Sequence, residues 1–375
     1  MLLGLLYSRM TRRNLPENLN DMLIGMGIPI EHSYGYDHTP KLPSDKDRRI
    51  TFQEARCSLL ASVSSLAGPG LLAALAFLQR SGGTPGGPEP GLAELEFAQA
   101  LLLMGSPIRG SFSLDDLCCF REALRLEMML FLEHTACAPQ NARDDLIRRR
   151  QSDTLHVRHT LYPAEARAVH RAVAAELGNI GAEQLGVSLA RVSELLFLSA
   201  DIVQVQFTQW RHAYGVAVPD DGDKLLGLFA VSPVTLAAIA GDYSADDIAK
   251  ILLAASLNFG ELSGVNLDYI HLDNPVWARP LVNYRETFLL FSPETIYASH
   301  SDQLACVARR GVKNPNARIG AARGRALEHL IGEHLKNLLP SAERLLSGKW
   351  TDPDTGRRYE TDAVCLTRPS RNQTG

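Results

Sequence analysis

RGRALEHLIGEHLKNLLPSAERLLSGKWTDPDTGRRYETDAVCL, Arg323 to Leu366, decides how the chain is read. From Ala322 to Leu339 the apolar residues Leu327, Leu330, Ile331, Leu335, Leu338 and Leu339 recur at helical spacing, which predicts a helix with one buried stripe. Glu328 stands on the edge of that stripe. Past Pro340 the sequence predicts a strand, a turn at Asp352-Pro353-Asp354-Thr355-Gly356, and a second strand from Tyr359 to Leu366. Ala363-Val364-Cys365-Leu366 is the near-continuous apolar run of a strand covered on both faces, and Asp362 stands at its mouth.

A carboxylate in that place is costly to bury unless it is paired, hydrogen-bonded or bound to a metal. A hard cation such as Mg2+ takes oxygen ligands and usually only one or two protein carboxylates, keeping water and substrate phosphate for the rest. Two readings of Glu328 stay open on spacing alone. It is a site carboxylate, or a boundary glutamate paired with Arg325 or with a lysine a turn or two on.

The helix G-R-x-L-E with Glu328, followed after a turn by Tyr359-Glu360-Thr361-Asp362-Ala363-Val364, resembles the PD-(D/E)xK nuclease superfamily. It is nearest to the restriction-endonuclease-like, nuclease-related (NERD-type) domains at the C-terminus of bacterial proteins with helical N-terminal regions. The resemblance implies a partial α/β fold over about the last fifty residues and Mg2+ as cofactor. Glu328 and Asp362 would be catalytic, with Asp362 and Glu360 at the metal. The implied parent reaction is in-line hydrolysis of a phosphodiester by metal-activated water. That family's next strand carries E-x-K, and Thr367 to Gly375 contains neither its acid nor its lysine. A truncated or frame-shifted end is the expectation this raises, and with it weak or absent activity.

The charge points the same way. Net charge is −4, yet Gln303 to Leu327 holds six basic residues (Arg309, Arg310, Lys313, Arg318, Arg323, Arg325) and no acidic one. Glu328 to the end is balanced at seven of each sign. A polyanion, DNA or RNA, is the expected partner of this end. Two rival readings stand beside the nuclease: a non-enzymatic helical interaction or nucleic-acid-binding module, and a site completed when a partner or a second copy donates the missing strand to the sheet edge.

Upstream the chain reads as mainly α. With 375 residues, 45% hydrophobic and 21% charged, it is expected to fold as several helical regions. The expected boundaries are an N-terminal helical region at 1–80 with an irregular start, a Gly/Pro linker at 81–91 (SGGTPGGPEPG), a helical region at 92–302, and the incomplete endonuclease-like domain at 303–375. His32, Asp37 and His38 fit no common metal spacing and read as a solvated loop, as does Arg148-Arg149-Arg150.

Individual signals place the helices. Thr51 to Glu54 is a capping box, followed by a break at Gly68-Pro69-Gly70 and a Leu/Ala-rich helix. Leu92–Met104 and Ser113–Thr135 are predicted helices, the second opened by Ser113 with Asp115 and Asp116 in its first turn. Tyr162–Leu177, Ser188–Phe197 and Val203–Tyr214 are read as three more. Two short helices around Gly241-Asp242-Tyr243 are expected to form an ordinary helical hairpin, since Asp246 and Asp247 would meet phosphate unfavourably. A short β-hairpin is expected within 276–292 and a helix over Glu294–Ala308.

The six cysteines show no C-x-x-C pair and are expected to be reduced and mostly buried, Cys118-Cys119 included. No apolar run is long enough to span a bilayer, and the basic residues of MLLGLLYSRMTRR follow its apolar run where a signal peptide puts them before it. A cytoplasmic protein is the expectation. No phosphate-loop, nucleophile-elbow or H-E-x-x-H motif is present.

Overall fold

The computed structural model describes residues 68–81, 91–105, 113–135, 163–178, 186–215, 222–266, 270, 273–309, 313–338, 343–351, 356 and 358–366, together with positions 54, 56, 57, 59, 60 and 63. The cap at Thr51, the His32/Asp37/His38 loop, most of the Gly/Pro linker, Arg148 to Arg150, Arg310, Leu339 and the turn residues Asp352 to Thr355 lie outside the described residues.

Helix α1 (Gly68–Ser81) and helix α2 (Leu92–Leu102) are apolar almost all round, so they have no face to give to water. They pack on each other at the centre. Helix α3 (Leu114–Thr135) lies against them and buries Leu117, Phe120 and Leu124. Its start is a reciprocal cap: the Ser113 amide donates to Asp116 Oδ2 (2.8 Å) and the Asp116 amide to Ser113 Oγ (3.1 Å). Those bonds hold the Asp116 carboxyl below its usual range.

Helix α4 (Pro163–Leu177) packs along helix α5 (Leu189–Tyr214), whose N-cap Ser188 accepts from the Arg191 amide. Residues 198–202, left between two predicted helices, are helical, so α5 is one 26-residue helix. The cause is local and tertiary together. Ser199 Oγ donates back to the Leu195 carbonyl (2.8 Å), and Asp201 is paired with Arg167 of α4.

After helix α6 (Gly222–Gly227) comes a sheet. Strands β1 (Ala230–Val231), β2 (Ser256–Asn258), β3 (Leu281–Tyr284) and β4 (Thr287–Leu289) run in the order β1-β4-β3-β2. Only β2 and β3 are parallel. The β3–β4 hairpin falls where the sequence puts it, and β1 and β2 extend it into a mixed sheet. Strands of two and three residues carry too little alternation to be read from sequence. Helices α7 (Pro233–Ala240) and α8 (Ala245–Ala254) form the expected hairpin, closed by Gly241 at φ +76° and capped by Ser244.

Helix α9 (Pro275–Ala278) packs on α2. The expected helix over 294–308 is two, α10 (Pro293–Ala298) and α11 (His300–Ala308), parted at Ser299, whose φ of −132° is not helical. Helix α12 (Pro315–Leu338) and a two-stranded antiparallel ribbon, β5 (Glu343–Thr351) with β6 (Arg358–Leu366), complete the described chain.

The protein is mainly helical, as its sequence predicts, and one apolar cluster runs from Leu59 to Ala326. Polar ties cross it. Glu96, 1% exposed, accepts from Thr295 Oγ1 (2.7 Å) and Trp277 Nε1 (2.9 Å), and Gln99 Nε2 donates to the Pro280 carbonyl (3.0 Å). Cysteine placement departs from expectation: Cys57, Cys118 and Cys119 are exposed free thiols and Cys306 is half-buried. On α3, Leu117, Phe120 and Leu124 take the buried face, which turns both vicinal cysteines outward. No described helix is long and apolar enough to cross a membrane.

Candidate functional site

Helix α12 carries most of the residues that the sequence marks for chemistry. It lies along α4 and touches α11 and β6. Its buried apolar side chains are Ile319, Ala322 and Ala326, at helical spacing of three and four, and Gly332 is buried two turns on. The predicted stripe is displaced: Leu327, Leu330 and Leu335 are half-buried and Ile331 is 45% exposed. Small alanines let the axis of α12 come close to α4, and that close approach selects the buried face in place of the larger leucines.

Glu328 is half-buried on α12. Its expected partner Arg325 is turned away, donating from Nε to Glu176 Oε2 of α4 at 2.8 Å. Among the described residues Glu328 has neither a hydrogen bond nor an ion pair. Glu360 and Asp362 lie on β6, with Glu360 opposite Lys349 of β5. The ribbon pairs Glu343 with Leu366 at one end and Thr351 with Arg358 at the other. Helix and strand carboxylates thus belong to two elements in contact. All three are oxygen donors, a set suited in kind to Mg2+. Among the described residues no group of three or more His, Cys, Asp or Glu side chains gathers at one point.

The basic residues are spread over the same end. Arg309 closes α11, and Lys313, Arg318, Arg323 and Arg325 are exposed at the start and along the first half of α12. Arg318 and Arg325, seven apart, share a helix face, while Arg323 is turned roughly 140° from Arg318. The first two form one surface. The charge of Arg323 instead acts on His170 of α4, which it helps to keep unprotonated.

No family model, curated protein or solved structure matches this chain.

The seat of α12 holds a polar cluster that sequence reading missed. His170 on α4 donates from Nε2 to the Tyr297 carbonyl (2.9 Å), and its ring centroid is 4.6 Å from that of His300. His300, 1% exposed, stacks on Phe197 (4.7 Å, 17°) and shares a hydrogen bond with Ser193 Oγ at 2.7 Å. Arg167 is bonded to Asp201 and to the Tyr297 hydroxyl, and lies over the Phe197 ring. Burial pushes His300 down to about 3, with His170 adding to the effect. Burial first, and then Arg323, lowers His170 as well. Both imidazoles are neutral near pH 7. Ser193 and His300 are paired as a nucleophile and its base would be, but both are sealed from solvent, which makes them a structural pair. Residues 107 positions apart carry no mutual signal in the sequence.

Proposed function

We propose that α12 and the β5–β6 ribbon form the metal-binding and nucleic-acid-binding side of a Mg2+-dependent nuclease-type site, acting in the cytoplasm. The observation that carries this reading is Glu328: a half-buried carboxylate with no partner among the described residues, on the helix that touches β6. A carboxylate so placed is favoured by a cation brought from outside. Asp362, with Glu360 two positions earlier and so on the same face of the strand, would supply the remaining oxygens. The metal would activate water and neutralise charge on the phosphodiester. Arg318 and Arg325 would hold the backbone phosphates, with Arg309, Lys313 and Arg323 widening the basic field. In this reading hydrolysis is weak and binding of the nucleic acid is the stronger activity.

Cleavage of supercoiled and single-stranded DNA and of RNA in Mg2+ and Mn2+ tests this, with E328A and D362A alongside. The expected result is salt-sensitive binding, with any cleavage abolished by either substitution. Binding that ignores salt, or cleavage indifferent to both carboxylates, would sink it. A second reading, a helical interaction module, is favoured by the apolar outer face of α7, where Val234 is 68% and Ile239 55% exposed. Among the described residues, strands β5 and β6 pair with each other and with no further strand, and a partner or second copy could add a strand to such an edge.

A further inference from the structure

Helix α12 lies along α4, and two of its basic residues stand beside that seam. On the helical wheel Arg318 and Arg325 border the buried stripe of Ile319, Ala322 and Ala326 on one flank. Arg309, Lys313, Arg318 and Arg323 have no ion pair among the described residues. Arg325 is the engaged member of this basic set. Its Nε donates to Glu176 Oε2 of α4 at 2.8 Å.

Glu176 is poorly placed for its own helix. It lies in the last turn of α4, where the carbonyl end of a helix disfavours negative charge, and that turn holds no basic residue to offset it. Arg325 supplies the offset from the neighbouring helix. The pair is open to solvent, with the Arg325 side chain 56% and the Glu176 side chain 40% exposed, so a dissolved anion can reach it.

An exposed ion pair of this kind shifts an equilibrium by no more than about fivefold. A single small anion gains little by taking the place of Glu176. A nucleic-acid backbone presents several phosphates at once, so a strand that also reaches Arg318 gains at both residues and can open the pair.

We propose that Glu176 is an autoinhibitory latch on the nucleic-acid-binding face of α12: in the free protein its carboxylate occupies Arg325, and on binding a backbone phosphate displaces it. The proposal rests on the nucleic-acid-binding reading given above and adds the group that regulates that face. The free protein then holds one of its phosphate-binding residues in reserve, and a polyanion releases it.

Fluorescence anisotropy of a labelled DNA duplex and of its single strand, titrated with the full chain at about 50 mM and about 200 mM salt, tests this. E176Q keeps the shape of the side chain and removes its charge, and it is expected to tighten binding about fivefold at the lower salt. In an R325A background the same change is expected to alter affinity less than about twofold, since the latch has nothing left to hold. E122Q removes a like charge from an exposed position on α3 and is expected to leave binding unchanged. Salt-sensitive binding that E176Q leaves unaltered or weakens, with circular dichroism unchanged, would overturn the latch and leave the nucleic-acid reading standing. An equal gain from E176Q with and without Arg325 would also overturn it, because Glu176 would then act by repulsion alone. If the unaltered chain shows no salt-sensitive binding, the nucleic-acid reading falls and the latch falls with it.

Discussion

At the residue scale, His300 shows how burial turns an ordinary side chain into a pH-dependent one. In the unfolded chain it takes its proton near pH ~6.5, whereas the folded protein refuses that proton until about 3. Between those values the unfolded state binds more protons, so the stability that His300 contributes is intact above the unfolded value and is lost as pH falls toward the folded one. One such proton corresponds to a slope of up to ~1.4 kcal/mol per pH unit. H300F keeps the stack on Phe197 but removes the proton and the Ser193 bond. It is expected to cost about 1–2 kcal/mol at pH 7.5 and to show a shallower loss of stability on acidification. Urea unfolding at several pH values between 7.5 and 4 checks this, and parallel slopes for the two proteins would refute the assignment. Buried Ser193 and His300 also show why a nucleophile–base pair needs access as well as distance: at 2.7 Å the geometry is right and the solvent is missing.

At the element scale, the β3–β4 hairpin turns through Arg285 and Glu286, both left-handed at φ 50° and 61°, between the paired Tyr284 and Thr287. Two such residues in a two-residue loop match the twist of the strands, and the chain uses neither Asn nor Gly to ease them. E286G is therefore expected to raise stability by about 0.5–1 kcal/mol, the relief of a strained φ outweighing the added freedom of the unfolded chain. A thermal melt of the variant beside the parent decides it, and an unchanged or lower midpoint would mean the turn is not strained. Helix α5 makes the complementary point. Its middle looks like a break, with Ser199, Ala200 and Asp201 in succession, yet Ser199 satisfies its own hydroxyl within the helix and Asp201 finds Arg167 on α4. The resulting continuous helix brings Ser193 and Phe197 to the seat of α12 at one end and Arg211 and His212 to a cleft shared with Arg80 and Glu294 at the other.

At the scale of the whole molecule, one apolar cluster joins α1 and α2 to the last helices, and Glu96 and Gln99 tie α2 to Trp277, Thr295 and Pro280, about 180 to 200 residues further on. Trp277 fluorescence, isolated by W210F and W350F, and far-UV circular dichroism should therefore report the same urea midpoint. An earlier Trp277 transition would mean that the segment around α9 unfolds by itself. The sequence alone determined the mainly helical class, the helix starts at Ser113, Ser188 and Ser244, the β3–β4 hairpin, and the helix-then-ribbon order that holds Glu328, Glu360 and Asp362. These are local matters of side-chain periodicity and of caps that bond three residues away. Only the tertiary structure decided that Arg325 would take Glu176 and leave Glu328 without it, that Ala322 and Ala326 would be buried in place of Ile331, and that Cys118 and Cys119 would face outward. It alone gathered His170, Ser193 and His300, and Arg80, Arg211 and Glu294, from helices far apart in the chain. The physical reason is that a residue's period fixes which faces an element has, while the shape and charge of its neighbours fix which of those faces is covered and which carboxylate is left unpaired.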